Sequence, residues 1–201
     1  MQETLGERSK INLVRAGSMM LEGKLIEIML INPRTVIDLE TVKSLELKNW
    51  FIAAGYVRNQ VWDHLHNNKK PLIFEDVDII YYDSSDITEE TDKKYEEQLR
   101  AKNSNLNWSV KNQARMHLRN NHEQYLSIDD AMRRWPEAAT AVGIKLTDQD
   151  RIDVIAPHGL EDLFELKLRQ SRYCKDRAIF MKRIYDKKWL DRWNQLKIVL
   201  G

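Results

Sequence analysis

Apolar residues recur through the first quarter of the chain at intervals of three and four. Over residues 19–31, Met20, Leu21, Leu25, Ile28 and Met29 fall on one helical stripe, and Pro33 closes the run. Residues 35–47 repeat the pattern with Val36, Leu39, Val42 and Leu45. Both stripes read as core. The period then changes: residues 50–54 and 73–82 are short runs rich in Val, Ile, Phe and Tyr, as buried strands are. Between them Gly55 breaks the first run, and a helix is predicted over 56–66. Further on, Ser85 or Asp86 caps a helix over 91–102, with Glu89 and Glu90 in its first turn. A strand over 107–111 leads into a helix over 112–120. Ser127 caps a helix predicted over 127–142, which Gly143 ends. Residues 144–146 and 151–156 form a hairpin around a Thr147-Asp-Gln-Asp turn, and helical pattern resumes at Leu160. Residues 1–16 are polar and show no clear period. The pattern therefore predicts a flexible segment over 1–18 and a single domain over 19–201. The fold class is α/β (α+β), a small mixed sheet flanked by several helices.

Composition narrows the function classes. The chain has 201 residues, 42% hydrophobic and 31% charged, an ordinary globular balance. A formal charge of +1 gives no global attraction to a nucleic acid, so any such binding would rest on a local patch. Cys174 is the only cysteine, which excludes an internal disulfide and suits a reducing cytoplasm. No apolar run approaches the roughly 18 residues of a membrane span. The histidines lack zinc-type spacing.

The candidate chemistry lies in two segments, Phe51-Ile-Ala-Ala-Gly-Tyr-Val-Arg-Asn59 and Phe74-Glu-Asp-Val-Asp-Ile-Ile-Tyr-Tyr82. On a strand, alternation puts Asp76 and Asp78 on one face, where two like charges call for a shared cation, and turns Glu75 to the other. Gly55 lets the amides of a helix N-terminus approach a phosphate closely, and the helix dipole favours the anion. Metal on one element and triphosphate on the other is the arrangement nucleotidyl transfer requires.

Gly-Tyr-Val-Arg-Asn followed by Glu-Asp-Val-Asp resembles the glycine and paired-acid signature of the polymerase-beta nucleotidyltransferase superfamily, nearest its poly(A) polymerase and tRNA CCA-adding branch. Three further segments are similar to a bacterial group of nucleotidyltransferase-like proteins. They are Val110-Lys-Asn-Gln-Ala-Arg-Met-His117, Trp135-Pro-Glu-Ala-Ala-Thr-Ala-Val142 and Ala156-Pro-His-Gly-Leu-Glu-Asp-Leu-Phe164. The resemblance implies Asp76 and Asp78 as ligands of Mg²⁺ or Mn²⁺, with an NTP as substrate. It makes Arg58 the arginine of Gly-x-Val-Arg, set to pair with phosphate or to clamp Asp76. Asn59 stands where that branch carries an acid. A third acid is implied on a later strand. Ser109 occupies one candidate position, and Asp153 in Ile-Asp-Val is the alternative, weighed against an acid on the wet face of the hairpin.

Lys111, Asn112 and Arg115, with His117, form a polar cluster at a strand-to-helix junction. Binding of phosphate, sugar or base competes there with an ordinary network around a helix start. The basic and aromatic stretch 167–197 could hold RNA by pairing and stacking, but aromatics at helical spacing read better as core. The expected function is transfer of NMP from an NTP to a small-molecule, protein or RNA hydroxyl, RNA being less favoured. The alternative is a catalytically silent NTP-binding module.

Overall fold

The computed structural model describes residues 5–68 and 76–200, the side chains of residues 5–16 excepted. Helix α1 (Leu5–Ile31) is followed by α2 (Arg34–Lys43), β1 (Phe51–Ala53), α3 (Gly55–Leu65) and β2 (Val77–Tyr81). Then come α4 (Glu89–Lys102), β3 (Trp108–Asn112), α5 (Gln113–Asn120) and α6 (Ile128–Arg133). A 3₁₀ turn (Ala138–Thr140), the hairpin β4 (Gly143–Leu146) and β5 (Ile152–Ile155), α7 (Glu161–Phe164) and β6 (Lys167–Arg169) lead to α8 (Arg177–Asp186), α9 (Trp189–Arg192) and β7 (Lys197–Val199).

A five-stranded sheet of order β3-β2-β1-β4-β5 carries the fold. Only β2 and β3 run parallel; the other neighbours are antiparallel. Its register sorts the side chains. Ile52, Ile79, Val110 and Ile144 lie opposite one another across four strands and are fully buried beneath α1 to α4. The reverse row is Ser109, Asp78, Ala53 and Gly143. Farther along that face, α6 lays Ile128 and Met132 over Ile80 and Ala141, so one half is roofed and the half around Asp78 is left open.

The predicted helix over 127–142 breaks into α6 and the 3₁₀ turn. Pro136 has no amide hydrogen and its ring clashes with the preceding turn, so α6 ends before it. Ser127 caps α6 as predicted, its Oγ accepting from the Asp130 amide at 3.1 Å. Gly143 does not end a helix but opens β4. A Cβ there would lie 3.1 Å from both Ile155 Cγ2 and Phe51 Cβ. Met20 is 73% exposed and Val36 38%, so these two leave the predicted core stripes, while Leu25, Met29, Leu39 and Val42 keep them. The helix N-terminal to Met19 also extends into the stretch where no period was legible. Predicted strand residues 73–75 lie outside the described residues. A parallel pair, β6 with β7, occupies a region that reads only as basic and aromatic in sequence. There Trp189 and Trp193 are buried, so they belong to the core rather than to a stacking platform. No helix among the described residues is long and apolar enough to cross a membrane.

Gly143→Ala should lower stability by about 1–3 kcal/mol, because a methyl group there stands 3.1 Å from Ile155 Cγ2 and Phe51 Cβ on the flanking strands, which must shift to admit it. A urea titration followed by circular dichroism should show an earlier midpoint with the native slope retained.

Candidate functional site

The turn into α3 is built by backbone strain. Ala54, at φ 54° and ψ −120°, occupies a conformation normally left to glycine, and its amide donates to Val142 O at 3.0 Å. The strain thus falls one residue before the glycine singled out in the sequence. No side-chain cap hydrogen bond is made at the N-cap of α3, and a helix N-terminus favours an anion. A Cβ on Gly55 would stand 3.5 Å from Arg58 Nη2 and 3.7 Å from Asn59 Nδ2, a hollow edged by nitrogen donors.

Arg58 is 8% exposed, and among the described residues no carboxylate pairs with it. Asn59 Oδ1 accepts from its Nε at 3.1 Å and from its Nη2 at 2.9 Å. Its guanidinium lies 4.5 Å from the ring centre of Trp189 and 5.2 Å from that of Trp62. Burial lowers the Arg58 pKa to about 10; Arg183 and Arg192 add to the pull, while Glu137 and Asp78 oppose it.

Asp78 lies on β2 facing the open half of the sheet, and Asp76 is exposed just ahead of the strand, where Asn107 Nδ2 donates to it. Burial raises the Asp78 pKa, and the neighbouring Asp76 charge raises it further. Arg58, a hydrogen bond from Ser109 and Lys187 act the other way. The structure therefore brings Gly55, Arg58, Asn59, Asp76 and Asp78 to one place. Of these, Arg58 and Asp78 line a cleft of about 450 Å³, with Lys111, Trp135, Ile179 and Arg183 also in its walls.

Other candidates stand elsewhere or are already occupied. Asp153 shares the Asp78 face but sits on edge strand β5, three strands away, and pairs with Lys145 at 3.9 Å. At the usual strand spacing that is about 14 Å, too far to complete an acid triad. Ser109, directly opposite Asp78 on β3, takes the near position. Among the described residues no group of three or more His, Cys, Asp or Glu could hold a metal, so the acid pair stands without a third carboxylate.

Asn112 is fully buried and caps α5. Its Oδ1 accepts from the Ala114 amide at 3.0 Å, and its Nδ2 donates to Asp83 O and Asp86 O at 2.7 Å each. Arg115 donates to the buried Asp92, which also receives Tyr81 Oη at 2.9 Å. Both residues serve the junction itself; their hydrogen bonds point into the protein rather than into the cleft. Lys111 lines the cleft, with its Nζ 2.9 Å from Glu96 Oε1.

Two residues not singled out in the sequence belong to the site. Glu137 is fully buried and accepts from Arg183 Nε at 2.8 Å, and Arg183 forms part of the cleft wall. Glu137 lies inside a segment that carries the family resemblance, a signal that could have found it. Arg183 offered none, being one of many basic residues in its stretch.

A family model described as nucleotidyltransferase matches residues 40–198, and the chain belongs to that family. Among solved structures it is similar to an NMR structure described as a CCA-adding enzyme head domain. The TM-score is 0.79 at 29% identity, covering 89% of this chain and 96% of that one. A CCA-adding enzyme in complex with CTP shares the fold at TM-score 0.56 and 14% identity, covering 87% of this chain and 43% of that one. An apo tRNA-processing enzyme does so at 0.53 and 16%, covering 82% and 42%. This chain thus spans less than half the length of those two proteins. No curated protein matches the sequence.

A raised carboxylate pKa means that the folded state holds its proton more tightly than the unfolded one. The stability this gives is present below the unfolded pKa of about 3.9 and is lost as pH rises through the folded value. Asp78→Asn should therefore raise the melting temperature at pH 7, and the gain should fade below about pH 4. Scanning calorimetry of both proteins across that range checks the sign.

Proposed function

We propose that the protein is a metal-dependent nucleotidyltransferase that transfers NMP from an NTP to an acceptor hydroxyl. The observation that carries this reading is the meeting of two opposite demands in one cleft. Asp78 in the cleft wall feels the neighbouring negative charge of Asp76, and Arg58 buries a positive charge that, among the described residues, has no carboxylate in ion-pair contact. A divalent ion answers the first and a phosphate the second. The acid pair would hold Mg²⁺ or Mn²⁺, which would activate the attacking hydroxyl and neutralise the leaving pyrophosphate. The α3 amides and the hollow at Gly55 would receive phosphate oxygens, and Arg58, fixed by Asn59, would supply the charge behind them. In the reaction the acceptor hydroxyl gives up its proton to solvent, its oxygen bonds to the α-phosphorus, the bond from that phosphorus to the bridging oxygen breaks, and pyrophosphate leaves with the electron pair. The near-zero net charge favours a small-molecule or protein hydroxyl over a long nucleic acid.

Ser109 in place of a third acid favours a second reading, an NTP-binding module in which occupancy regulates a partner. Incubation with each α-³²P-labelled NTP, Mg²⁺ and cell extract separates the two. Label on an acceptor that disappears with Asp78→Asn supports the transferase. Tight binding with neither transfer nor pyrophosphate release, for all four nucleotides, supports the module.

Calorimetry tests the site itself. NTP binding should require the divalent ion and fall at least about tenfold in the Asp76→Ala, Asp78→Ala protein, as loss of charge-assisted contacts implies. Metal-independent binding, or binding unaffected by the double substitution, would overturn the assignment.

A further inference from the structure

Helix α8 supplies the second wall of the cleft. It contributes Ile179 and Arg183 to the lining, and these lie four residues apart on one helix face. Lys187, four residues further on, acts electrostatically on Asp78. The cleft wall that α8 forms thus carries Arg183, and the C-cap residue Lys187 stands near enough to act on Asp78.

Arg183 is held in an unusual way for a residue of such a wall. Glu137 is fully buried and engages one edge of the guanidinium, through Nε at 2.8 Å and Nη2 at 3.4 Å. Thr140 Oγ1 donates to the same carboxylate at 3.2 Å, and the fixed Pro136 precedes it in the chain. Yet the Arg183 side chain remains 44% exposed, with its other donors directed away from Glu137. A planar fork tethered on one edge and open on the other is preorganised for an anion. One buried carboxylate also serves two neighbouring guanidiniums, since Arg58 and Arg183 both feel the charge of Glu137. Asp78 acts on Arg58 from the cleft wall, and among the described residues no carboxylate besides Glu137 pairs with Arg183.

We infer that Arg183 is a phosphate-binding residue of the nucleotide site, engaging the triphosphate from the wall opposite α3, and that Glu137 is its positioning residue. This rests on the nucleotide reading of the cleft but adds an element that the acid pair and the glycine turn do not contain. The triphosphate lies between α3 and α8, so closure of the site depends on a residue 125 positions after Arg58.

Calorimetry with Mg²⁺-ATP, Mg²⁺-CTP and inorganic tripolyphosphate tests it on the wild type, Arg183→Gln and Glu137→Gln. Removing Arg183 alone strands a buried carboxylate, so the Arg183→Gln, Glu137→Gln double variant serves as the folded control, with thermal unfolding measured for all. Arg183→Gln and the double variant should bind the nucleotides about 10- to 100-fold more weakly, the loss of one charge-assisted contact. Arg183→Lys should recover part of this. In NMR spectra the Arg183 Nε–H resonance should shift on titration with nucleotide, and Glu137→Gln should abolish that shift while the Arg58 resonance still responds. A merely structural Glu137 would leave the response of Arg183 intact. Nucleotide binding that is unchanged in the folded double variant would overturn the inference and leave the nucleotide site standing. Tripolyphosphate binding that depends on Arg183, without binding of either nucleotide, would keep the anion site and overturn the nucleotide reading. Binding of none of the three probes by the wild type would overturn both.

Discussion

The cost of burying a guanidinium with no carboxylate in ion-pair contact governs how the parts of this protein come together, and Arg58 is where that cost is met, with Glu137 and Asp78 acting on it only through space. Its charge is offset by two indole faces and an amide oxygen, weaker partners than an ion pair. Each partner comes from a different commitment of the chain. Asn59 and Trp62 are set by α3 itself, whereas Trp189 has to be delivered by α9. The C-terminal region is therefore tied to α3 by strong contacts: Arg192 and Trp193 both donate to Asp63, at 2.9 and 2.8 Å. Truncating any of these would loosen the cation as well as the packing.

The same logic explains why the acid pair stands where it does. Antiparallel pairing of β1 with β2 puts Ala53 opposite Asp78, so the chain leaves β1 and enters α3 beside the carboxylates. The strained Ala54 makes that turn tight enough to aim the helix N-terminus at the cleft. The small Ser109 lies directly opposite Asp78, while Ala53, also opposite it, is buried with Ile80, Ile128 and Met132 in the cluster that α6 covers.

What could be read in the sequence was local. The β2 strand, the break at Gly55, the Ser127 cap and the β4–β5 hairpin each declare themselves within a few residues, by alternation, by a glycine or by a hydroxyl ahead of an apolar run. The fold class followed from those pieces, because short strands interleaved with helices leave few arrangements. Roles set by distant partners were illegible. Asn112 and Arg115 form a plausible ligand pattern on a helix face, yet Asp83, Asp86 and Asp92 take up their hydrogen bonds. Asp153 has the right neighbours and the wrong strand, since strand order is not written in the strand. Glu137 and Arg183 meet across 46 positions, and no periodicity connects them.

That separation has a consequence for how the molecule acquires its site. The central sheet needs only residues up to the β4–β5 hairpin, whereas the indole over Arg58 and the second cleft wall come from α8 and α9. During synthesis the five strands are complete while the cleft still has only one side, and the shared core lacks the residues that α7 to α9 add to it. A ribosome-bound chain would thus carry the five strands and an exposed, incomplete pocket. Competence to hold a ligand would arrive late and abruptly, when the C-terminal helices close against α3.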